Sequence, residues 1–337
     1  MTTVPRVGPR LHRLRRMVQE CVADVPDPLL VACSGGPDSL ALAAAAAATG
    51  RPVGAIIVDH AIQPDSARVA ARVADQCTGL GLAPVTVVRV SVADAAGAGP
   101  EAAARQARYR ALAQRAEALA AGAVLLGHTR DDQAETVLLG LARGSGIRSL
   151  SGMPEVRGRY RRPFLSLSRD QVRAGLAETG LKPWSDPHNE DPAYRRARVR
   201  HTVLPVLEEQ LGPGIAAALV RTASQARADA DALDEWAERA RVDWESRDRA
   251  AAALTDLPVA VRSRVLLAAA RESGSPSNDL THEHVVELDR LVTDWNGQGP
   301  IHLPGRVIAG RRYGRLYFVG ANGDSAHSSG IGAADGS

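Results

Sequence analysis

Leu29-Leu30-Val31-Ala32-Cys33-Ser34-Gly35-Gly36-Pro37-Asp38-Ser39 decides the fold of the first half of this 337-residue chain. An apolar run fit for a buried strand breaks into Ser34–Ser39, and the Ala/Leu-rich stretch Leu40–Ala48 follows at once as a helical pattern. Strand, glycine turn and helix start form an anion site. The glycines let the backbone approach a phosphate, and the first N–H groups of the helix point at it. Pro37 suits a first helical position, because its missing N–H would be unpaired there anyway. The loop has neither the Gly-Lys-Ser/Thr of a Walker A motif nor the spacing of a dinucleotide fingerprint.

Working outward, three more apolar runs, Val53–Val58, Val85–Val92 and Ala123–Gly127, alternate with helical patterns at Ser39–Thr49, Ser66–Leu80 and Glu101–Ala121. This alternation predicts an α/β domain, a Rossmann-like parallel sheet with helices on both faces. Polar residues cluster after the strands: Ser34–Ser39, Asp59-His60, Asp94 and His128–Glu135. The carboxyl ends of strands are where such sheets bind ligands, so four loops point to one edge. Beyond residue 150, Arg162–Leu165 reads as extended, about 168–179 as helix and Lys182–Arg198 as a mobile loop. Leu211-Gly212-Pro213-Gly214 predicts a boundary between a catalytic domain over 1–210 and a smaller, mainly helical domain over 215–320. Within the latter, Ile215–Arg249, Pro258–Ser273 and Thr281–Asp294 read as helices and Ile301–Val319 as hairpin strands. Residues 321–337 are rich in Gly, Ser and Ala and read as a disordered tail.

Composition narrows the function. Arginine supplies nearly all positive charge, Lys182 being the only lysine, and the net charge is just +3. Clusters at Arg6–Arg16, Arg157–Arg162, Arg195–Arg200 and Arg306–Arg315 point to a polyanionic partner. Three scattered cysteines exclude a disulfide framework and favour reduced thiols in the cytoplasm. Leu40–Ala48 is wholly apolar but far short of the ~20 residues of a membrane span, so no membrane partner is expected.

Gly127-His128-Thr129-Arg130-Asp131-Asp132-Gln133-Ala134-Glu135-Thr136 opens a helix at a strand end. Helical spacing lines up His128, Asp132 and Thr136, with Asp131 and Glu135 beside them. Carboxylates gathered near a phosphate site repel one another unless a cation or an ammonium offsets them, so Mg²⁺, a basic substrate, or both are the expected partners. Capping of a helix by Asp131 or Asp132 is the plainer alternative for either acid alone. Glu101, Arg105, Arg108 and Tyr109 share one helix face, open either to phosphates or to surface ion pairs.

Taken together, Ser34–Ser39, Val58-Asp59-His60, Glu101 with Ala104-Arg105 and Arg108-Tyr109, Gly127–Thr136, Arg143–Gly146 with Gly152-Met153, Arg162-Pro163, Asp186, Asn189, Tyr194–His201 and Leu204-Pro205 resemble the tRNA(Ile)-lysidine synthetase family of PP-loop ATP pyrophosphatases. The likeness runs over about residues 29–207, with Ala197 standing where the family usually has asparagine. It implies a ligase that adenylates the C2 oxygen of the wobble cytidine in the CAU anticodon of tRNA(Ile), releases pyrophosphate, and lets free L-lysine displace AMP to leave lysidine. It further implies ATP held by Ser34, Gly35, Gly36, Pro37, Asp38, Ser39, Asp59 and His60, with Mg²⁺ on Asp38, Asp131 and Asp132. Asp38, His128, Asp132, Glu135, Arg105 and Arg108 become the expected catalytic residues, with Asp132 and Glu135 as the lysine pocket. Arg196, Arg198 and Arg200 are expected on tRNA, and a homodimer is left open. A PP-loop tRNA thiolase and a small-molecule amide ligase are the alternatives.

Overall fold

The structure is a computed structural model that describes residues 8–61, 65–90, 100–144, 146–185, 190–277 and 279–320. Two compact units divide between Arg227 and Ala228. The first contains α1 (Pro9–Cys21), β1 (Leu29–Ala32), α2 (Pro37–Ala47), β2 (Val53–Asp59), α3 (Ser66–Gly79), β3 (Val85–Arg89), α4 (Pro100–Ala118), β4 (Ala123–Leu125) and α5 (Arg130–Leu141). It continues with α6 (Ile147–Leu150), β5 (Val156–Arg157), β6 (Tyr160–Arg161), α7 (Arg169–Ala177), α8 (Arg195–Arg198), a π-helical turn over Val199–Val203, and α9 (Leu204–Leu211).

The six strands order as β3-β2-β1-β4-β6-β5, with β5 antiparallel at the edge and the other neighbours parallel. Period-2 alternation explains why helices cover both faces. Leu29, Val31, Val53, Ala55, Ala123 and Leu125 enter one core with α1, α2, α3 and α7, while Leu30, Ile56 and Val124 enter another with Leu112 and Ala116 of α4. Leu29, Leu30 and Val31 are fully buried, each contributing about 1.5–3 kcal/mol of transfer free energy.

Chain order reverses between β1 and β4, which lie side by side although β2 and β3 come between them in sequence. Crevices at such switch points receive the ligands of α/β sheets. Here the loops after β1 and β4, Cys33–Gly36 and Leu126–Thr129, meet. Gly127 makes that approach possible: a Cβ there would sit 2.9 Å from the Asp38 carbonyl oxygen.

The structure departs from the sequence reading in three places. Arg10–Arg16 belongs to α1, an amphipathic helix that buries Leu11, Leu14 and Val18, and is more than a charge cluster. Of the segment read as a mobile loop, Arg195–Arg198 is helical and continues through the π-helical turn into α9; residues 186–189, with Asp186 and Asn189, lie outside the described residues. The unit division falls inside α10 (Ile215–Ser246), beyond the Leu211–Gly214 bend. The first turns of α10 belong with the first unit because Ala216 and Leu219 pack on Ala134, Val199 and Leu204.

The second unit completes α10 and adds α11 (Ala252–Thr255), α12 (Val259–Glu272), α13 (His282–Thr293) and a three-stranded antiparallel sheet of β7 (Ile301–Leu303), β8 (Val307–Arg312) and β9 (Arg315–Val319). Trp244, Leu254, Val265, Leu288, Leu291 and Val307 form its core. The expected tail, 321–337, lies outside the described residues, and Asp94 does as well.

Candidate active site

A cleft of about 1110 Å³ opens at the switch point. Its floor is the loop Ser34–Ser39. Gly35 adopts φ +84°, and a side chain there would overlap Val73, so glycine is required on two counts. Ser39 stitches the loop: its Oγ accepts the Ser34 N–H at 3.2 Å and donates to the Gly36 carbonyl at 3.0 Å. α2 begins at Pro37 with no side-chain cap, which leaves its first N–H groups directed into the cleft for an anion. Asp59 and His60 line the same cleft, with Asp59 accepting the Ala61 N–H at 2.9 Å.

Opposite lies α5. Thr129 and Asp132 form a reciprocal capping box, Asp132 Oδ2 accepting the Thr129 N–H at 2.8 Å. Asp132 therefore caps the helix and also lines the cleft. Asp131 accepts the backbone N–H of Arg169 at 2.7 Å, which pins the start of α7 over the start of α5. That contact delivers a residue not singled out in the sequence reading. Arg169 Nη2 lies 3.2 Å from Asp132 Oδ1 and 3.0 Å from Glu135 Oε1, and its Nε lies 3.9 Å from Asp38 Oδ2.

Two further arginines arrive from the segment after α7. Arg200 Nε meets Glu135 Oε1 at 2.7 Å and its Nη2 meets Asp132 Oδ1 at 3.2 Å; Arg196 Nε meets Glu135 Oε2 at 3.0 Å. Glu135, with a side chain 0% exposed, is thus ringed by three guanidiniums. This alters two expectations. Glu135 does not line the cleft; it anchors arginines, and the charge expected to await a basic substrate is already balanced within the protein. Arg196 and Arg200, four residues apart on one helical face, turn inward, whereas Arg198 is exposed and bonds the Pro192 and Ala193 carbonyls. The i,i+4 spacing of Arg196 and Arg200 is the signal in the sequence that separates them from Arg198.

Arg108 and His128 both line the cleft, and Arg108 Nε and His128 Nδ1 are buried without hydrogen-bond partners among the described residues. Burial lowers the His128 pKa to about 3 against the pull of Asp132, with Arg108, Arg162 and Arg196 pushing the same way, so the imidazole is neutral. Arg105 does not reach the cleft lining; its guanidinium lies 4.9 Å from the centre of the Tyr109 ring. The side chain of Glu101 lies outside the described residues.

Asp38 is the acid with unspent capacity. Burial, then the charge of Asp132, push its carboxyl up to about 6 against Arg169, Arg173 and Arg200, and its Oδ1 is buried with no partner among the described residues. Asp132 is held low: burial works to raise it, but Arg169, the Thr129 N–H and Arg196 prevail. No group of three His, Cys, Asp or Glu side chains among the described residues forms a metal cage. An orphaned carboxylate oxygen beside a phosphate loop nevertheless fits Mg²⁺, which takes one or two carboxylates and completes its shell with phosphate oxygens and water.

Comparison with known proteins accords with this geometry. Residues 10–207 match the family described as PP-loop domain, and residues 250–317 match that described as TilS substrate binding domain. The chain is 52% identical over 322 residues to tRNA(Ile)-lysidine synthase of Thermobifida fusca, covering 93% of this chain and 98% of that one. Identity to the synthase of Streptomyces coelicolor is 54% over 299 residues, covering 86% and 84%. The chain belongs to the tRNA(Ile)-lysidine synthase family. The U34-tRNA thiolase NcsA of Methanococcus maripaludis has the same fold, with a TM-score of 0.53, 19% identity and coverage of 64% of this chain and 79% of that chain. Family membership accounts for the pairing of an ATP-binding PP-loop unit with a second, mainly helical unit. The three cysteines, two of them buried, are free, an arrangement that gives the thiolase alternative no support.

Proposed function

We propose that the cleft carries out the two steps of lysidine formation on tRNA(Ile), with ATP as the activating substrate. In the first, the C2 oxygen of the wobble cytidine of the CAU anticodon attacks the α-phosphorus of ATP and pyrophosphate leaves. In the second, the ε-amine of L-lysine attacks C2, AMP departs with the oxygen, and the amine sheds its protons. The enzyme is an ATP-dependent ligase that modifies tRNA.

Ser34–Ser39 and the free N–H groups of α2 receive the phosphates, and Asp59 and His60 border the nucleotide. Asp38, with Asp131 and Asp132 nearby, would hold Mg²⁺, which screens the charge of the departing pyrophosphate. Arg108, buried yet facing the cleft, supplies a fixed cation for the phosphate of the adenylated cytidine. Asp132 stays ionised and offers its carboxylate to a lysine ammonium. Neutral His128 offers an acceptor nitrogen to the same amine, a positioning role more than a proton-carrying one. Arg169, Arg196 and Arg200 keep Asp132 and Glu135 charged and aligned. Exposed Arg198 is left to the tRNA backbone. These substrates place the enzyme in the cytoplasm.

One observation carries this reading: the loop Ser34–Ser39 and the His128/Asp132 pair line one cleft at the switch point, together with Asp38, whose Oδ1 has no partner among the described residues. The test supplies ATP, labelled lysine and unmodified tRNA(Ile), and follows label and pyrophosphate together. Label that enters tRNA only when ATP is present is the expected result; pyrophosphate release without any tRNA-bound label would overturn the reading.

A further inference from the structure

We propose that the tip of the β8–β9 hairpin is a stacking platform for an unpaired base of the RNA substrate. The proposal rests on the tRNA reading above and names one place where the RNA is gripped. Pairing of β8 with β9 extends to Arg312 and Arg315, leaving Tyr313-Gly314 as a two-residue turn. Both turn residues have positive φ, 49° and 78°, the pattern of a type I′ turn, in which Asn-Gly is favoured. A tyrosine in the left-handed region strains the backbone, and no burial offsets the strain, because Tyr313 is 87% exposed. Neither turn geometry nor core packing calls for an aromatic ring at this position.

The strain is shared by the segment that braces the tip. Asp248 and Arg249 also have positive φ, 54° and 55°. This bend is fastened to the hairpin by the Ala251 N–H to the Gly314 carbonyl and the Leu316 N–H to the Arg249 carbonyl, both 2.9 Å, and by the Arg315–Asp248 ion pair. Three strained non-glycine residues thus converge to hold one ring out in solvent. Preorganisation of this kind lowers the cost of ordering on binding.

Charge selects the occupant. The Arg312 guanidinium lies 5.7 Å from the centre of the Tyr313 ring. Arg249 and Arg315 have acidic partners in Glu245 and Asp248, whereas no ion pair of Arg312 occurs among the described residues. Further along β8, Arg311 lies 5.7 Å from the ring centre of Trp295, which is itself partly exposed. An acidic peptide would use the guanidiniums and leave the tyrosine idle. An RNA base with its phosphate uses both, the base on the ring and the phosphate on arginine.

The experiment titrates the full-length chain with unmodified tRNA(Ile) over a range of salt, comparing Tyr313→Asn, Tyr313→Phe and Arg312→Gln with the wild type. Loss of one stacked base at about 1–3 kcal/mol corresponds to a Kd raised roughly 5- to 150-fold in Tyr313→Asn. The same variant should melt at an equal or higher temperature, since asparagine suits the turn, so weaker binding cannot come from unfolding. Tyr313→Phe should bind within about twofold of wild type. Arg312→Gln should reduce the salt slope by about one while Tyr313→Asn leaves it unchanged. Wild-type affinity in Tyr313→Asn, or equal losses in the asparagine and phenylalanine variants, would overturn the platform while lysine incorporation by the wild type still upheld the substrate reading. No tRNA-dependent incorporation by the wild type would overturn both.

Discussion

The two units use arginine in opposite ways. In the first, Arg169, Arg196 and Arg200 turn inward on Glu135, whose carboxylate has no contact with solvent. In the second, one buried pair, Arg262 with Asp289 at 2.6 Å, is backed by the Thr255 and Leu257 carbonyls. Other pairs there lie at the surface along α10 or just past its end, such as Arg239–Glu235 and Arg247–Asp243, with both partners well exposed. Exposed helical pairs contribute only about 0.3–0.5 kcal/mol. Breaking a buried pair costs several times more, because a charge is left without an offset. Arginine is thus an internal frame for the active-site carboxylates in the PP-loop unit, and mainly surface dressing around an apolar core in the other.

The comparison breaks most sharply at the acid that the arginines only partly satisfy. Asp38→Asn should reduce pyrophosphate release by ~10²- to 10³-fold, by analogy with the loss of a single preorganised charge-stabilising group, yet it should stabilise the free protein. Because the folded-state pKa of Asp38 is raised from 3.8 to about 6, the folded state holds that proton more tightly than the unfolded chain. The resulting stability is fully present below pH 4 and lost as pH rises through 6. Asparagine escapes that loss, giving a gain of about 3 kcal/mol at pH 7 that fades toward pH 4. A variant no more stable than wild type at pH 7 would show that Asp38 is already offset.

Next in size is Glu135→Gln, which leaves three guanidiniums around a neutral amide and should cost about 3–5 kcal/mol. Asp289→Asn in the second unit should cost about 1–2 kcal/mol, since Arg262 keeps its two carbonyl acceptors. Hydrogen exchange followed separately in each unit measures both, and equal losses would erase the distinction drawn above. Smallest is Arg198→Ala, which should leave stability unchanged and lower the salt slope of tRNA binding by about one. If Arg196→Ala lowered the slope as much without destabilising the fold, the inward and outward assignments would have to be exchanged.

Much of the sheet was legible because its strands are short apolar runs bounded by glycine or acid, and Ser34–Ser39 marked the strand-to-helix turn at the switch point from local chemistry alone. The three long helices α10, α12 and α13 were legible from periodicity to within a few residues, whereas the four-residue α11 was not. What escaped has physical causes. α1 hid behind its arginines although Leu11, Leu14 and Val18 carry the helical spacing. β5 and β6 are two residues each, too short for any pattern. Arg169 reaches Glu135 across 34 positions of sequence, and only the docking of α7 on α5 through Asp131 creates that contact. For Glu135 the charge was legible but its arginine partners were not, because inward and outward arginines look alike in a linear sequence.

Gly127 gives the site a tolerance that no side chain can adjust. With its missing methyl group 2.9 Å from the Asp38 carbonyl, main chain rests against main chain, and the spacing between the phosphate loop and the carboxylate helix is set like a machined gap. Side chains on either loop can be exchanged to retune charge or substrate fit, but widening that gap by one carbon would move Asp38 and Asp132 apart together with the helices that carry them.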